Sequence, residues 1–317
     1  MTNTVHAASN GSAFKSFRKR CYKYRALLLL TLIPIAYYLI FWAYPLYGLT
    51  IAFKDYKILE GVGASKWIGF GNFHELLTSD TMILQYLWNS IRISFFKWLF
   101  GFPAPIIFAI LLTELRSNAL RRVTQTVTYL PNFLSWVVLS GIFSYLLSST
   151  GPINWIVTAL GGEPIQFVGD RIWVQVTLVA TDIWKGFGWG SIIYIATIAG
   201  IDTTQYEAAI IDGANRFQRI RYVTLPNMIP ILTIQLVMSA GGILGGSFDQ
   251  IFNFNVAGKV QNFVMTLDVY EYNLGITSME YAKSTALGLA KAVVSCSLIL
   301  TANYVATKIN GEEFTLW

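Results

Sequence analysis

The residues of this 317-residue chain whose types could do chemistry are ionisable groups set inside apolar runs. Asp182 and Lys185 stand three apart in the run 172–200, with Trp184 and Trp189 beside them, and Arg92, Lys97 and Lys291 fall in two other runs. A charge surrounded by hydrocarbon is costly, and it marks a polar pathway or a partner contact by default. Two readings of the first pair stay open. The spacing lets Asp182 and Lys185 neutralise each other on one helical face, or it leaves Lys185 facing a cavity together with the two tryptophans. Covalent chemistry has no matching pattern. The sequence holds no G-x-x-x-x-G-K-[ST] phosphate loop, no H-E-x-x-H and no nucleophile elbow. His6 and His74 are its only histidines, and Cys21 and Cys296 are too far apart to suggest a metal or disulfide framework. The chemistry expected is recognition, with no enzymatic site, no metal and no nucleotide held by this chain.

Composition dictates what carries these residues. The chain is 54% hydrophobic and 13% charged, where a soluble domain carries about 25% charged residues. An integral membrane protein is expected. A helix needs roughly 20 mostly apolar residues to cross the hydrocarbon core, and six segments qualify: 26–51, 86–113, 125–148, 172–200, 226–249 and 284–307. Pro131 interrupts the third, and Gly241-Gly242 and Gly245-Gly246 interrupt the fifth, which suits helix packing or a hinge. Flanking Lys and Arg residues number thirteen on the side that holds Lys15, Arg121, Arg216 and Lys308, against six on the side of Lys54, Arg171 and Lys283. The excess marks the cytoplasmic side, so both termini lie inside. The organisation expected is a tail over 1–25, an all-α six-helix membrane domain over 26–307 and a tail over 308–317. Arg92 and Lys97 then fall in the outer half of their span and are expected to snorkel outward. Lys291, about two turns into the last span, is harder to dismiss.

One cytoplasmic connection, 202–225, is charged and helix-forming. Thr204-Gln205-Tyr206-Glu207 reads as a capping box, Gly213 falls where a left-handed C-cap belongs, and a second short helix begins near Asn215. Phe217, Ile220 and Thr224 can share one face while Arg216 and Arg219 point elsewhere. Leu225-Pro226 is expected to end this element, with Pro226 in the first turn of the next span. The predicted object is a helix-turn-helix beneath the bilayer. Local physics leaves it as either a well-capped connector or a docking surface.

The run Glu207-Ala208-Ala209, then Asp212-Gly213-Ala214, then Leu225-Pro226 and Pro230, resembles the EAA signature of bacterial type I ABC importer permeases. Phe53-Lys54-Asp55-Tyr56 and Trp67-Ile68-Gly69-Phe70-Gly71-Asn72-Phe73 resemble the first outer loop of the carbohydrate permeases, and Thr285-Ala286-Leu287-Gly288-Leu289 with Asn303-Tyr304 is similar to the polysaccharide and aldouronate group. The resemblance implies a permease subunit in the bacterial inner membrane and a second permease beside it. A solute-binding protein would deliver an oligosaccharide from outside, and an ATPase dimer would hold ATP and Mg. It also implies that the hairpin residues Glu207, Ala208, Ala209, Asp212, Gly213, Ala214, Arg216, Phe217, Leu225 and Pro226 couple to that ATPase.

For such a cargo, aromatic platforms beside hydrogen-bonding groups suit the C–H faces and hydroxyl edges of sugars. Asp182, Trp184, Lys185, Trp189, Tyr194, Gln235, Ser239, Asn253, Asn255 and Lys291 are the candidate path residues. Trp and Tyr are also common interfacial anchors. Cations facing the lumen would favour an acidic oligosaccharide over a neutral one. The rival class is an ion-coupled secondary transporter, which needs midplane carboxylates, and Asp182 is its one candidate.

Overall fold

The computed structural model describes residues 19, 22–79, 81–245, 248–255 and 264–310, so Asn10, Lys15, Cys21, Gly246 and Lys259 lie outside the described residues. The chain is mostly helical, and helices fall within each of the six apolar segments. Helix α1, Arg25–Tyr38, runs without a break through a π turn, Leu39–Ala43, into a 3-10 stretch, Tyr44–Phe53. Short strands β1 (Lys54–Asp55) and β2 (Lys66–Trp67) pair antiparallel just beyond it. Asn72, opening α2 (Gly71–Ser79), ties this loop down by donating to the carbonyls of Ala52 and Lys54, each at 2.9 Å. Phe53 stacks on Trp67 with ring centroids 5.5 Å apart.

The second segment comprises α3, Ile83–Gly101, and α4, Pro103–Thr113. The third comprises α5, Asn118–Tyr129, a 3-10 turn at Leu130–Phe133 that contains Pro131, and α6, Trp136–Leu146; the halves bend by 101°. After the short α7, Pro152–Ala159, comes α8, Arg171–Ala199, whose 29 residues carry Asp182 and Lys185. At 1.5 Å per residue it is longer than the ~30 Å hydrocarbon core. Among the described residues, four helices are long and apolar enough to cross a membrane: Arg25–Phe53, Ile83–Thr113, Arg216–Ala240 and Tyr281–Lys308. The bent pair makes a fifth if it is one span.

The hairpin contains α9, Thr203–Ile211, and α10, Arg216–Arg219, which continues through a π turn, Ile220–Thr224, into α11, Leu225–Ala240. Leu225-Pro226 therefore does not end the element, as the sequence suggested. Proline lacks an N–H and crowds the carbonyl one turn back. The wide turn, in which the Leu225 amide reaches the Ile220 carbonyl, accommodates it with the helix intact. The same device precedes Pro45, where the Tyr44 amide reaches Leu39. The fifth segment stops at Ala240 rather than running to 249; α12 (Phe248–Asn255) and α13 (Leu267–Tyr272) follow before the long α14, Tyr281–Asn310.

Helix α8 is the central pillar, and small residues set how closely others approach it. A Cβ on Gly188 would lie 2.2 Å from the Thr128 carbonyl oxygen on α5, and one on Gly190 would touch Pro105 on α4 at 3.5 Å. Gly241 likewise packs against α14, where a Cβ would fall 2.5 Å from Ile299 Cδ1, the geometry of close packing rather than of a free hinge. Ile93, Val174, Leu178, Ile251 and Phe254 form one buried cluster across α3, α8 and α12. By contrast, α1 buries nothing between Arg25 and Ala43.

Candidate coupling hairpin and central cleft

Helix α9 begins at Asp202, whose carboxylate accepts the Thr204 amide at 3.0 Å, and not at the Thr204–Glu207 box expected from the sequence. Asp202 stands one residue earlier in the chain than the helix itself, so its side chain reaches the free donors first. These hydrogen bonds, from the Thr204 backbone and then its hydroxyl, hold the Asp202 carboxyl below the usual carboxylate range. A true capping box occurs at the second helix, where Asn215 and Gln218 each accept the other's backbone amide at 2.9 and 2.7 Å.

Between the helices, Gly213 sits at φ +78°. The Ala214 amide reaches the Ala209 carbonyl (2.9 Å) and the Gly213 amide reaches Ile210 (3.0 Å), the paired bonds of a Schellman turn. The hairpin is tied to the root of α11 by Tyr206–Thr224 hydroxyls at 2.9 Å and by Asn227 donating to Gln205 at 2.9 Å. Thr224 is buried, whereas Phe217 is 73% exposed, so the two do not share a packed face. Ile210, Ile211 and Phe217 are left open on the surface, with Glu207, Asp212 and Arg216 exposed around them.

A cleft of about 360 Å³ opens between α3, α4, α8 and the segment that follows α11. Asp182 and Ser239, expected on a path, line it together, with Lys97, Trp98 and Phe187. The Asp182–Lys185 pair does not form. Lys97 is not turned outward; its Nζ lies 3.3 Å from Asp182 Oδ1 and donates to Gln250 Oε1. Lys185 instead donates to the Asn132 carbonyl at 2.8 Å, 5.7 Å from the Trp136 ring centre. That carbonyl lies at the break between α5 and α6, where a bent backbone needs an outside donor. Thus Lys185 braces the kink and Lys97 takes the carboxylate.

The remaining candidates are dispersed. Trp184 packs edge-on against Phe143 and Trp189 against Phe133. Tyr194 is buried against Ala109 and Met228. Gln235 is half-buried on α11, Asn253 donates to the Asp249 carbonyl at 2.7 Å, and the side chain of Asn255 is outside the described residues. Lys291 is no isolated cation: it pairs with Asp268 and with Glu271 (2.6 Å) beside a second cavity of about 470 Å³. Gln250, just past the fifth apolar run, is the residue the sequence does not single out, and Lys97, expected to snorkel outward, is turned inward to meet it. Residue type and position along the chain do not reveal a partner on another helix.

The family described as "Binding-protein-dependent transport system inner membrane component" matches residues 101–311, which include the hairpin and the cleft wall on α4 and α8, while Lys97 and Trp98 on α3 lie before the matched range. Protein LplB of Bacillus subtilis is 40% identical over 288 residues, 90% of each chain. The polygalacturonan/rhamnogalacturonan transport system permease protein YteP of the same organism is 34% identical, over 90% of this chain and 89% of its own. Among solved structures, a chain of a bacterial ABC transporter involved in the import of the acidic polysaccharide alginate superposes with a TM-score of 0.85 at 32% identity, covering 93% of this chain and 99% of that one. That likeness makes the fold that of an ABC importer's membrane chain. On the strength of the family match and of relatives that align along nearly their whole length, this chain belongs to the binding-protein-dependent transport system inner membrane components.

Proposed function

We propose that the chain is one of two permease subunits of an ATP-driven oligosaccharide importer. It crosses the membrane six times with both termini inside, and it moves the sugar without altering it. Named relatives support the cargo class, since YteP is a polygalacturonan/rhamnogalacturonan permease and the structural neighbour imports alginate. A second solved structure holds that alginate transporter with a periplasmic protein carrying alginate pentasaccharide, which supports delivery by such a protein here. The cleft beside Asp182 and Ser239 contributes to the path.

The observation that carries the reading is the hairpin. It is capped at both helices, bonded to the root of α11, and it presents Ile210, Ile211 and Phe217 to the outside. A connector needs no such apolar tip. A surface that seats in a groove on an ATPase dimer does, and its join to α11 carries closure of the dimer to the bundle. Co-expression with the partner permease and ATPase tests this. Phe217→Glu is expected to leave the two permeases associated while ATPase affinity falls about 30-fold, the roughly 2 kcal/mol typical of an aromatic interface anchor. Undiminished ATPase retention by this variant would exclude the hairpin as the docking element.

A further inference from the structure

The central cleft has a polarity that the role of permease does not specify. Lys97 enters from α3 with its side chain only 10% exposed, while Asp182 on α8 is 39% exposed. Behind the ammonium stands Gln250, 1% exposed. Its amide oxygen accepts from Lys97, and its nitrogen donates to the Leu178 carbonyl at 2.8 Å and the Thr181 hydroxyl at 2.9 Å. The glutamine is therefore fixed at both ends and holds the lysine back. The member of the pair that the cleft presents is the carboxylate. The other cations expected to meet an acidic sugar are engaged elsewhere, Lys185 by the Asn132 carbonyl and Lys291 by Asp268 and Glu271.

A carboxylate only accepts hydrogen bonds, and it can take two donors at once. Neighbouring hydroxyls of a pyranose ring supply such donors, and Trp98 and Phe187 line the same cleft with apolar surface for the C–H face. A uronate carboxylate entering here would meet a like charge. Resting on the reading of the chain as an oligosaccharide permease, we propose that the Lys97–Asp182 pair is a charge filter. The cleft reads sugar hydroxyls through Asp182 and turns carboxylates away, with Lys97 and Gln250 as the positioning residues that keep Asp182 facing in. An acidic oligosaccharide passes with its carboxylates toward the wall supplied by the second subunit.

The test uses the complete transporter, with partner permease, ATPase and binding protein, in proteoliposomes. Initial uptake is compared for α-1,4-linked galactotetraose and α-1,4-linked tetragalacturonate, which differ only in oxidation at C6. The readout is the acid-to-neutral ratio of each variant relative to wild type, so the selectivity of the shared binding protein cancels. The exchange Lys97→Asp with Asp182→Lys keeps an ion pair and puts the ammonium in front, and it is expected to raise the ratio about tenfold, about 1.4 kcal/mol. Asp182→Asn raises it by less, and Lys97→Arg leaves it at the wild-type value. A merely structural ion pair predicts an unmoved ratio in the exchange and the same proportional loss of both sugars in Asp182→Asn; either result overturns the filter. If the exchanged protein does not assemble, the Asp182→Asn ratio decides alone. A wild-type complex that hydrolyses ATP yet takes up neither probe argues against the oligosaccharide reading, whereas uptake with ratios that no variant moves argues against the filter alone.

Discussion

Asp202 fixes where the hairpin begins, and it does so with an exposed carboxylate that must be ionised to accept the Thr204 amide well. Its folded-state pKa lies below the unfolded value of about 3.9. The sign follows: the stabilisation is complete above the unfolded value and is lost as pH falls through the folded one. Amide hydrogen exchange over 203–206, corrected for intrinsic rates, is expected to stay flat from pH 7 to 5 and to rise below about pH 4. Asp202→Ala should raise it at every pH, while Asp202→Asn, a cap that does not titrate, should abolish the acid step. An acid step that survives in the asparagine variant would place the titrating group elsewhere. In the sequence Thr204 reads as the cap because Thr and Glu at that spacing form a legitimate box. Asp202 is an equally good cap two residues upstream, and only the observed start of the helix decides between them. Gly213, by contrast, was readable, because few residues other than glycine accept φ +78° at a helix end.

At the level of elements, length and apolarity located the helices, while contacts between them stayed hidden. Asp182 has a lysine three residues away on its own helix and another on α3, and spacing along one helix cannot rank them. Pairing across helices wins because the Asn132 carbonyl, freed at the kink near Pro131, draws Lys185 away. The π turn before Leu225-Pro226 was hidden too, since a proline reads locally as a boundary and continues a helix only when a turn behind it widens. The tightest helix crossing makes a definite prediction. The Gly188 backbone lies so close to α5 that an added Cβ would stand 2.2 Å from the Thr128 carbonyl, a backbone atom with no rotamer to yield. Gly188→Ala is expected to lower stability by about 1–3 kcal/mol through overpacking. Gly186→Ala, with open space at its Cβ position, should be nearly neutral. Thermal unfolding in detergent compares the two, and equal effects would show that helix propensity rather than the crossing governs both.

At the scale of the whole molecule, the proposed orientation rests on charge, which assigns the hairpin to the side where Lys and Arg gather and the β1–β2 loop to the other. Each side offers a well-exposed reporter position: Ile211 at the hairpin tip is 85% exposed and Leu59 in the first loop is fully exposed. In a background with Cys21 and Cys296 replaced by serine, Leu59→Cys is expected to react with a membrane-impermeant maleimide applied to intact spheroplasts. Ile211→Cys should react only after the membrane is opened. The opposite labelling would invert the topology and remove the hairpin from any cytoplasmic partner. A second stage ties orientation to mechanism. In opened membranes, co-expressed ATPase should shield the Ile211→Cys thiol, and Phe217→Glu, which weakens the seat without moving the thiol, should restore its reactivity. Leu59→Cys should respond to neither change. Shielding at position 211 that persists in the Phe217→Glu variant would mean that something other than a hairpin-gripping ATPase covers the tip, and closure would then have to reach α11 by another route.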